Sequence, residues 1–507
     1  MRDDSGERQY NRHGLARTTL AAAALATVVV LGCLPALVWP SASPSAAAET
    51  AAPSTSAEEA SPIPVRRVNA PRLSEEADWA RLAVLWFGEV TPTSNSADVR
   101  VGYEDWGLLV YVVTFDRRLW RAATPGADDL AEWDAVSLYL DLDGDAALAP
   151  GDNTHRFVVM LSGGEDEAAQ TAYRGNGSGW VGAGTPFSSR TSWRGSGLND
   201  GGDDRGWTAN FYIPFASLGL SAEPPEGTVW RMGLRLHDRD DAVGTPIPDQ
   251  TWPEAMAPER PDTWGQLSFG LPAYTPPAAE KTGAVAIRQG PDGVRVPDAD
   301  VGGTVATGTC AWWGEDTWTH WGRINYGHSE QVNVQNQGDV ADWPCFSKYY
   351  VTFPLDAVPR GKAIVSATLT MHQFGNAGQC EPGPNCEPQP PRPSWIQVLV
   401  PSRDWHEETI TWNNAPLAAE NVGGAWVDPL DSWPGWPGVP RSWDVSRAVA
   451  EAYAAGQPVR LVLYSADWGY HSGKYFVSSD VGDWNVVGRP ALHVEWGEPL
   501  PGRAPAR

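Results

Sequence analysis

RDWHEETITWNNAP, residues Arg403–Pro416, admits two incompatible readings. Its HEETI opens like the metalloprotease signature H-E-x-x-H, in which two histidines one helical turn apart hold zinc and the glutamate activates water. The second histidine is due at position 410, which is Ile410. A lone His–Glu pair leaves the coordination sphere incomplete. Thr409, Ile410, Thr411 and Trp412 are β-branched or aromatic, types that favour a pleated strand over a helix. The stretch is read as a strand with Trp405 and Trp412 packing beside it. The zinc enzyme gives way to an all-β protein.

Composition points the same way. The chain of 507 residues carries 27 tryptophans, 52 glycines and 44 prolines. Such a chain has many turns, few long helices and ample aromatic surface. At about 150 residues per domain it has room for two or three. A net charge of −25 argues against a nucleic-acid partner, because phosphate contacts need clustered Lys and Arg. A neutral partner, or one reached through bound cations, fits better.

The N-terminus, 1–48, reads as a signal peptide or signal anchor. Arg2, Arg8, Arg12 and Arg17 precede the apolar run Thr18–Trp39, and a small-residue cleavage site follows near Ala48. The run is long enough to remain as an anchor, and Cys33 in VLGC offers a less fitting lipidation site. Each alternative places the remainder outside the cytoplasm, secreted or tethered to the outer face of the membrane. Residues 49–70 form a disordered Ser/Ala/Pro linker, 272–293 a second linker, and 499–507 a disordered tail. Cys310, Cys345, Cys380 and Cys386 remain for an oxidising compartment. Three connectivities are possible. The turn CEPGPNC brings Cys380 to Cys386, which leaves Cys310 for Cys345. A zinc site wants short C-x-x-C pairs, and there are none.

Both long segments, 71–271 and 294–498, read as successive strands. VWRMGLRLHD sets Trp230, Met232, Leu234 and Leu236 on one face, with Arg231, Arg235 and His237 on the other. DAVSLYLD alternates likewise through Val136, Leu138 and Leu140. DVSRAVAEAYAAG is the one clear helix: Asp444 caps it, Val445, Val449 and Tyr453 form its apolar stripe, and Gly456 stops it. The fold class is all-β, with two β-sandwich (jelly-roll-like) domains.

The order of ADWARLAVLWFGE, ADVRVGYEDWGLLVYVVTFD, WDAVSLYLDLDGD and HDRDD…TWPE resembles the family 9 carbohydrate-binding modules and related DOMON-like sandwiches. That resemblance implies a sugar-binding β-sandwich, an accessory to glycan-degrading enzymes, often with structural calcium. NYG at Asn325–Gly327, KYYVTFPLDAVPRGKAIVSATLTM, WHEETITWNNAP, SWDVSRAV and GRPALHVEW resemble the DNRLRE-type domain of secreted bacterial proteins, related to polysaccharide-binding modules. The inserts GTCAWWGEDTWTHWGRI and GQCEPGPNCEPQPPRPS, which carry the cysteines, depart from it.

Calcium is the expected cofactor. DLDGDAALAPGD sets Asp141, Asp143, Asp145 and Asp152 at relative positions 1, 3, 5 and 12, a spacing of oxygen ligands close to that of an EF-hand loop. The alternative is a solvated acidic turn, and LNDGGDD and HDRDD are further acidic candidates. For sugar contact, a flat indole shields a pyranose C–H face while polar neighbours bond the hydroxyls. The candidates lie in loops: Trp180, Trp193, Trp312, Trp313, Trp318, Trp321, Trp433 and Trp436. No catalytic residue is assigned, since Glu407 and Glu408 are adjacent and on a strand would face opposite ways. Haem held by His155 and Met160 is not expected. The reading is a secreted or cell-surface, non-catalytic polysaccharide-binding protein, accessory to carbohydrate degradation or adhesion, with a surface glycan as partner. Alternatives are a structural scaffold or adhesin, and a glycoside hydrolase or polysaccharide lyase with an unrecognised site.

Overall fold

The computed structural model describes residues 65–500, apart from 75, 246, 291–292, 304–315, 379–389 and 470–471. The signal segment, Cys33, Cys310, Cys380, Cys386, Trp312 and Trp313 lie outside the described residues. Cys345 is disulfide-bonded.

Four sheets carry the chain. Sheet I runs in the order Arg67–Ala70, Gly265–Phe269, Val229–His237, Ala135–Asp141, Thr154–Met160, Gln170–Gly175 and Trp180–Ala183, with Gln250–Trp252 also paired to Val229–His237. Sheet II orders Ala83–Gly88, Ser96–Tyr103, Gly107–Phe115, Gly206–Pro214 and Ser188–Arg194. Sheet III orders Ala279–Arg288, Ala491–Pro499, Ala363–Asn376, Lys474–Val477 and Gln331–Val334, with Val439–Asp444 also paired to Ala363–Asn376. Sheet IV orders Asp298–Gly302, Ser347–Phe353, Val459–Ser465, Ser394–Pro401 and Ala418–Val427.

Strand periodicity dictates the layering. Successive side chains on a strand face opposite ways. Ala83, Leu85 and Phe87 point into a core shared with Val136, Leu138 and Trp230 of sheet I. The alternate residues Val84 and Trp86 are also apolar, and they enter a second core with Tyr350, Val462 and Tyr464 of sheet IV. Tyr349, Val351 and Phe353 then face a third core, with Leu369, Met371 and Val494 of sheet III. Sheets I, II, IV and III therefore stack as four layers. Ala83–Gly88, Gly107–Phe115 and Val459–Ser465 of sheets II and IV are buried on both sides and carry apolar residues on both faces for that reason.

Primary amides close the junction. Asn421 accepts from the Asn69 N–H at 2.8 Å and donates to its carbonyl at 3.0 Å. Asn413 does the same to Val90, at 2.9 Å each way. Gln397 accepts from the Val84 N–H at 3.2 Å and donates to the Leu82 carbonyl at 2.6 Å. Arg67–Ala70 and Ala83–Gly88 are edge strands, whose outer backbone groups have no sheet partner. An amide offers one donor face and one acceptor face, which suits that vacancy.

Several expectations are corrected. Arg403–Pro416 is a pair of tight turns: the Ile410 N–H donates to the His406 carbonyl at 2.9 Å, and Ala415 to Thr411 at 2.9 Å. Asn414 holds the second turn, accepting from the Thr411 N–H at 2.7 Å. Side-chain bonding to nearby backbone outcompetes β-propensity here, while Trp412 is buried as expected. The presumed linker 272–293 contains Ala279–Arg288, which pairs along its length with Ala491–Pro499. The 49–70 tether ends earlier, because Arg67–Ala70 joins sheet I in parallel with Gly265–Phe269. Ala135–Asp141 has both faces buried. The helix spans Ser446–Ala454, with Asp444 accepting from the Ser446 N–H at 2.9 Å and Gly456 at φ +65° ending it.

Candidate functional site

The acidic loop Asp141–Asp152 does not gather its carboxylates. Asp143 accepts from the Asn153 amide at 2.7 Å, and Asp145 caps the Ala147 N–H at 3.1 Å. Among the described residues, no group of three close carboxylates is drawn from Asp141, Asp143, Asp145 and Asp152. Burial pushes Asp141 up to about 6. In LNDGGDD, Asp203 pairs with Arg117 at 2.9 Å, and Asp204 accepts from the Ser196 N–H at 2.7 Å and the Leu119 N–H at 3.2 Å, so both are taken up in tying this loop to residues 117–119.

The convergence occurs elsewhere. Asp116 follows the strand Gly107–Phe115, Asp134 precedes Ala135–Asp141, and Asp238 follows Val229–His237. One oxygen from each lies within 4.8 Å of the others, at the rim where sheets I and II meet. Asp116 and Asp134 are fully buried. Asp134 accepts from the Trp120 N–H at 2.6 Å and the Arg239 N–H at 2.9 Å, which fixes its rotamer. Asp116 Oδ2 and both Asp238 oxygens have no hydrogen-bond partner. Burial, then the neighbouring charges Asp134 and Asp238, raises Asp116 well above the usual carboxylate range, and burial followed by Asp238 does the same to Asp134. Burial, then Asp240, lifts Asp238 to about 8. Three inward oxygens without donors have the chemistry of a hard-cation site. The HDRDD motif pointed to Asp238. Asp116 and Asp134 are single residues at strand ends and left no spacing signal.

Glu407 and Glu408 lie in a turn, not on a strand, and do not part as expected: Glu407 is buried and Glu408 exposed, yet one oxygen of each lies within 4.8 Å of the other and of a His328 ring nitrogen. Glu407 is held by the Asp298 N–H at 2.9 Å and Arg295 at 2.6 Å, and Glu408 meets His328 at 2.9 Å. Glu407 also lies near Asp298 and Asp480, but Asp298 is itself occupied by Tyr349 and Ser479.

The loop tryptophans divide. Trp318 and Trp321 are buried in the core between sheets II and IV, against Trp343 and Trp412, and are removed from the sugar-contact candidates. The described part of that insert, Thr317–Arg323, packs into the junction because its indoles find an apolar partner there. Trp193 packs partly against the first core. Trp180 lies on the outer face of sheet I, stacked parallel to Trp264 at 6.3 Å and beside Tyr139 at 5.7 Å. The Tyr139 hydroxyl, Trp180 Nε1 and Arg156 Nε there are without partners.

Trp433 and Trp436 stand out from sheet III, 64% and 41% exposed, with Trp484 at 62%. Trp436 is the hub, edge-on to Trp433 at 6.1 Å and to Trp484 at 5.2 Å, and backed by Phe374 at 5.6 Å. The three exposed indoles and Phe374 form one aromatic patch on the surface of sheet III. Trp484 and Phe374 escaped the sequence reading because they come from separate segments that only the sheet brings together.

The comparisons with known proteins fall on this ground. Residues 313–483 match carbohydrate-binding module family 96. The family 96 segment includes Trp433 and Trp436 and stops one residue before Trp484. Among solved structures, the chain is similar to a family 9 carbohydrate-binding module from Caldicellulosiruptor kristjanssonii in complex with cellotriose, at 16% identity over 40% of this chain and 94% of that one, TM-score 0.31. It is also similar to a putative carbohydrate-binding protein from Bacteroides uniformis, at 14% identity over 40% of this chain and 99% of that one, TM-score 0.32. No curated protein matches the chain significantly. No helix among the described residues is long and apolar enough to cross a membrane.

Proposed function

We propose that this chain is a non-catalytic, extracellular polysaccharide-binding protein, accessory to carbohydrate degradation or adhesion, in which Trp433, Trp436 and Trp484 form a sugar-contact surface. The observation that carries this reading is the exposed indole cluster in which Trp436 packs against Trp433 and Trp484, two of the three lying in the family 96 segment. Indoles remove pyranose C–H faces from water, and this gain does not require deep enclosure.

Calcium belongs to the reading at Asp116, Asp134 and Asp238 in place of the loop Asp141–Asp152. The unpartnered oxygens there fit a divalent cation held by carboxylates. A bound cation would tie the rim of sheets I and II and supply no reaction step. The test is retention of the secreted chain on cellulose, xylan, chitin, alginate, pectin and peptidoglycan in calcium-containing buffer. Retention on one polymer, released by its soluble oligosaccharides, supports the reading. Passage through all six removes sugar binding and leaves the rigid four-layer stack as a surface scaffold.

A further inference from the structure

Sheets II and IV do not cover one another completely, and the uncovered margin is shaped. Two hollows meet at Trp468. One, of about 430 Å³, lies between Ala80 of the first sandwich and Arg392, Trp426 and Asp428 of the second. The other, of about 590 Å³, lies on the face of sheet II that turns toward sheet IV, where sheet IV does not cover it, with Arg190, Ser192, Thr208 and Asn210 as its floor and Trp79 and Tyr111 as its walls. Both fall within the roughly 300–1,000 Å³ of small-ligand sites.

Trp468 comes from the second sandwich, while the rings it meets come from the first. It stands edge-on to Trp79 at 5.2 Å and to Tyr111 at 4.6 Å, yet it remains 42% exposed. A Cβ at Gly338 would come within 2.8 Å of the Trp468 ring, so a glycine lets the indole lie against the backbone. Trp426, 45% exposed, stands edge-on to Trp395 at 5.5 Å.

The floor is polar for a readable reason. In Ser188–Arg194 the burial alternates, with Ser188, Arg190, Ser192 and Arg194 outward. No apolar partner covers that side. Asn210 Oδ1 is buried without a hydrogen-bond partner, and the Arg190 and Asp428 charges are in no ion pair among the described residues. Aromatic walls above a floor of hydroxyl, amide and guanidinium groups complement a sugar chain, which presents C–H faces and hydroxyl edges.

We infer that the junction of the two sandwiches forms a composite groove that binds an extended oligosaccharide chain, with Trp468 as the shared wall between subsites on either side. This inference rests on the sugar-binding reading and adds a site that neither sandwich forms alone. A chain long enough to pass Trp468 engages both hollows at once, and linked contacts raise affinity without new contact types.

The test is titration calorimetry of the full secreted chain with cellohexaose, xylohexaose and alginate hexasaccharide, each beside its trisaccharide. At least one hexasaccharide binds at least tenfold more tightly than its trisaccharide. Trp426→Ala, Trp468→Ala and the groove-filling Ser192→Tyr each reduce that hexasaccharide affinity fivefold or more. Trp426 and Ser192 are exposed, so those two variants keep the melting temperature and guard against a Trp468 variant that loosens the junction. Unchanged hexasaccharide affinity in Trp426→Ala and Ser192→Tyr, with loss in Trp433→Ala, overturns the groove and keeps the sugar-binding reading. No binding of any oligosaccharide by the parent chain overturns both.

Discussion

The ammonium of Lys348 lies 3.2 Å from the centroid of the Trp412 ring, with the Trp86 and Tyr464 rings at 4.6 and 4.9 Å. Trp86 belongs to the first sandwich and the other three residues to the second, so a buried cation is caged by aromatic faces from both. The Asp98 carboxylate, also from the first sandwich, accepts from the Tyr464 hydroxyl at 2.5 Å and faces Lys348. Ring quadrupoles attract a desolvated cation, but they do not replace its hydration. Burial lowers Lys348 to about 7, against the opposing pull of Asp98.

This sets a pH dependence. The unfolded chain holds the Lys348 proton up to its ordinary value of 10.5, whereas the folded chain releases it near 7. Between those values the unfolded state binds more protons, so stability rises with pH. Lys474, lowered to about 8 chiefly by burial, acts in the same direction. Urea midpoints at pH 7.5 and 9.5 test this: between the two values the parent chain gains stability relative to Lys348→Met, while Asp116, Asp134 and Asp238, raised by burial, act in the opposite direction in both chains. No gain over Lys348→Met would contradict it.

The amide contacts predict joint unfolding of the two sandwiches. Gln397→Leu leaves the Val84 N–H and Leu82 carbonyl without their partner, at about 1–3 kcal/mol for buried polar groups left unsatisfied. Asn421→Leu acts likewise on Asn69. The expected calorimetric trace has one transition for the parent chain, shifted down as a whole in each variant. Two separated transitions in the parent chain would rule out a shared core.

If Asp116, Asp134 and Asp238 hold calcium, the expected outcome is that calcium raises the melting temperature at pH 7 and a chelator lowers it again. Asp116→Asn and Asp134→Asn lose this response, because each removes a charge at the convergence of Asp116, Asp134 and Asp238. Asp143→Asn keeps it, since Asp143 is bonded to Asn153 in its own loop. A response lost in Asp143→Asn and kept in Asp116→Asn would return the site to the Asp141–Asp152 loop.

Tryptophans of one kind by sequence separate by experiment. Trp433→Ala and Trp484→Ala lower polysaccharide retention about tenfold with the melting temperature unchanged, as their exposure requires. Trp318→Ala costs about 3–5 kcal/mol of stability through the cavity left against Trp343. Chemical denaturation paired with the binding assay distinguishes the two classes. Lost retention from Trp318→Ala at full stability would reverse the assignment.

The sequence by itself determined the local order: the alternation of Val229–His237, the helix after Asp444 and the all-β class. Each follows from a period or a cap within one short segment. What only the tertiary structure decided was pairing across distance. Asp116, Asp134 and Asp238 meet because three strands end at one rim, and Trp468 gains its neighbours from another sandwich. Arg403–Pro416 shows the boundary between the two. Its apolar Trp412 was legible as core, but its backbone follows the bonds of Asn413 and Asn414 to partners that β-propensity does not count. Trp318 and Trp321 were read as loop residues open to sugar. The junction claimed them because burying an indole against another sheet removes more apolar surface from water than leaving it exposed.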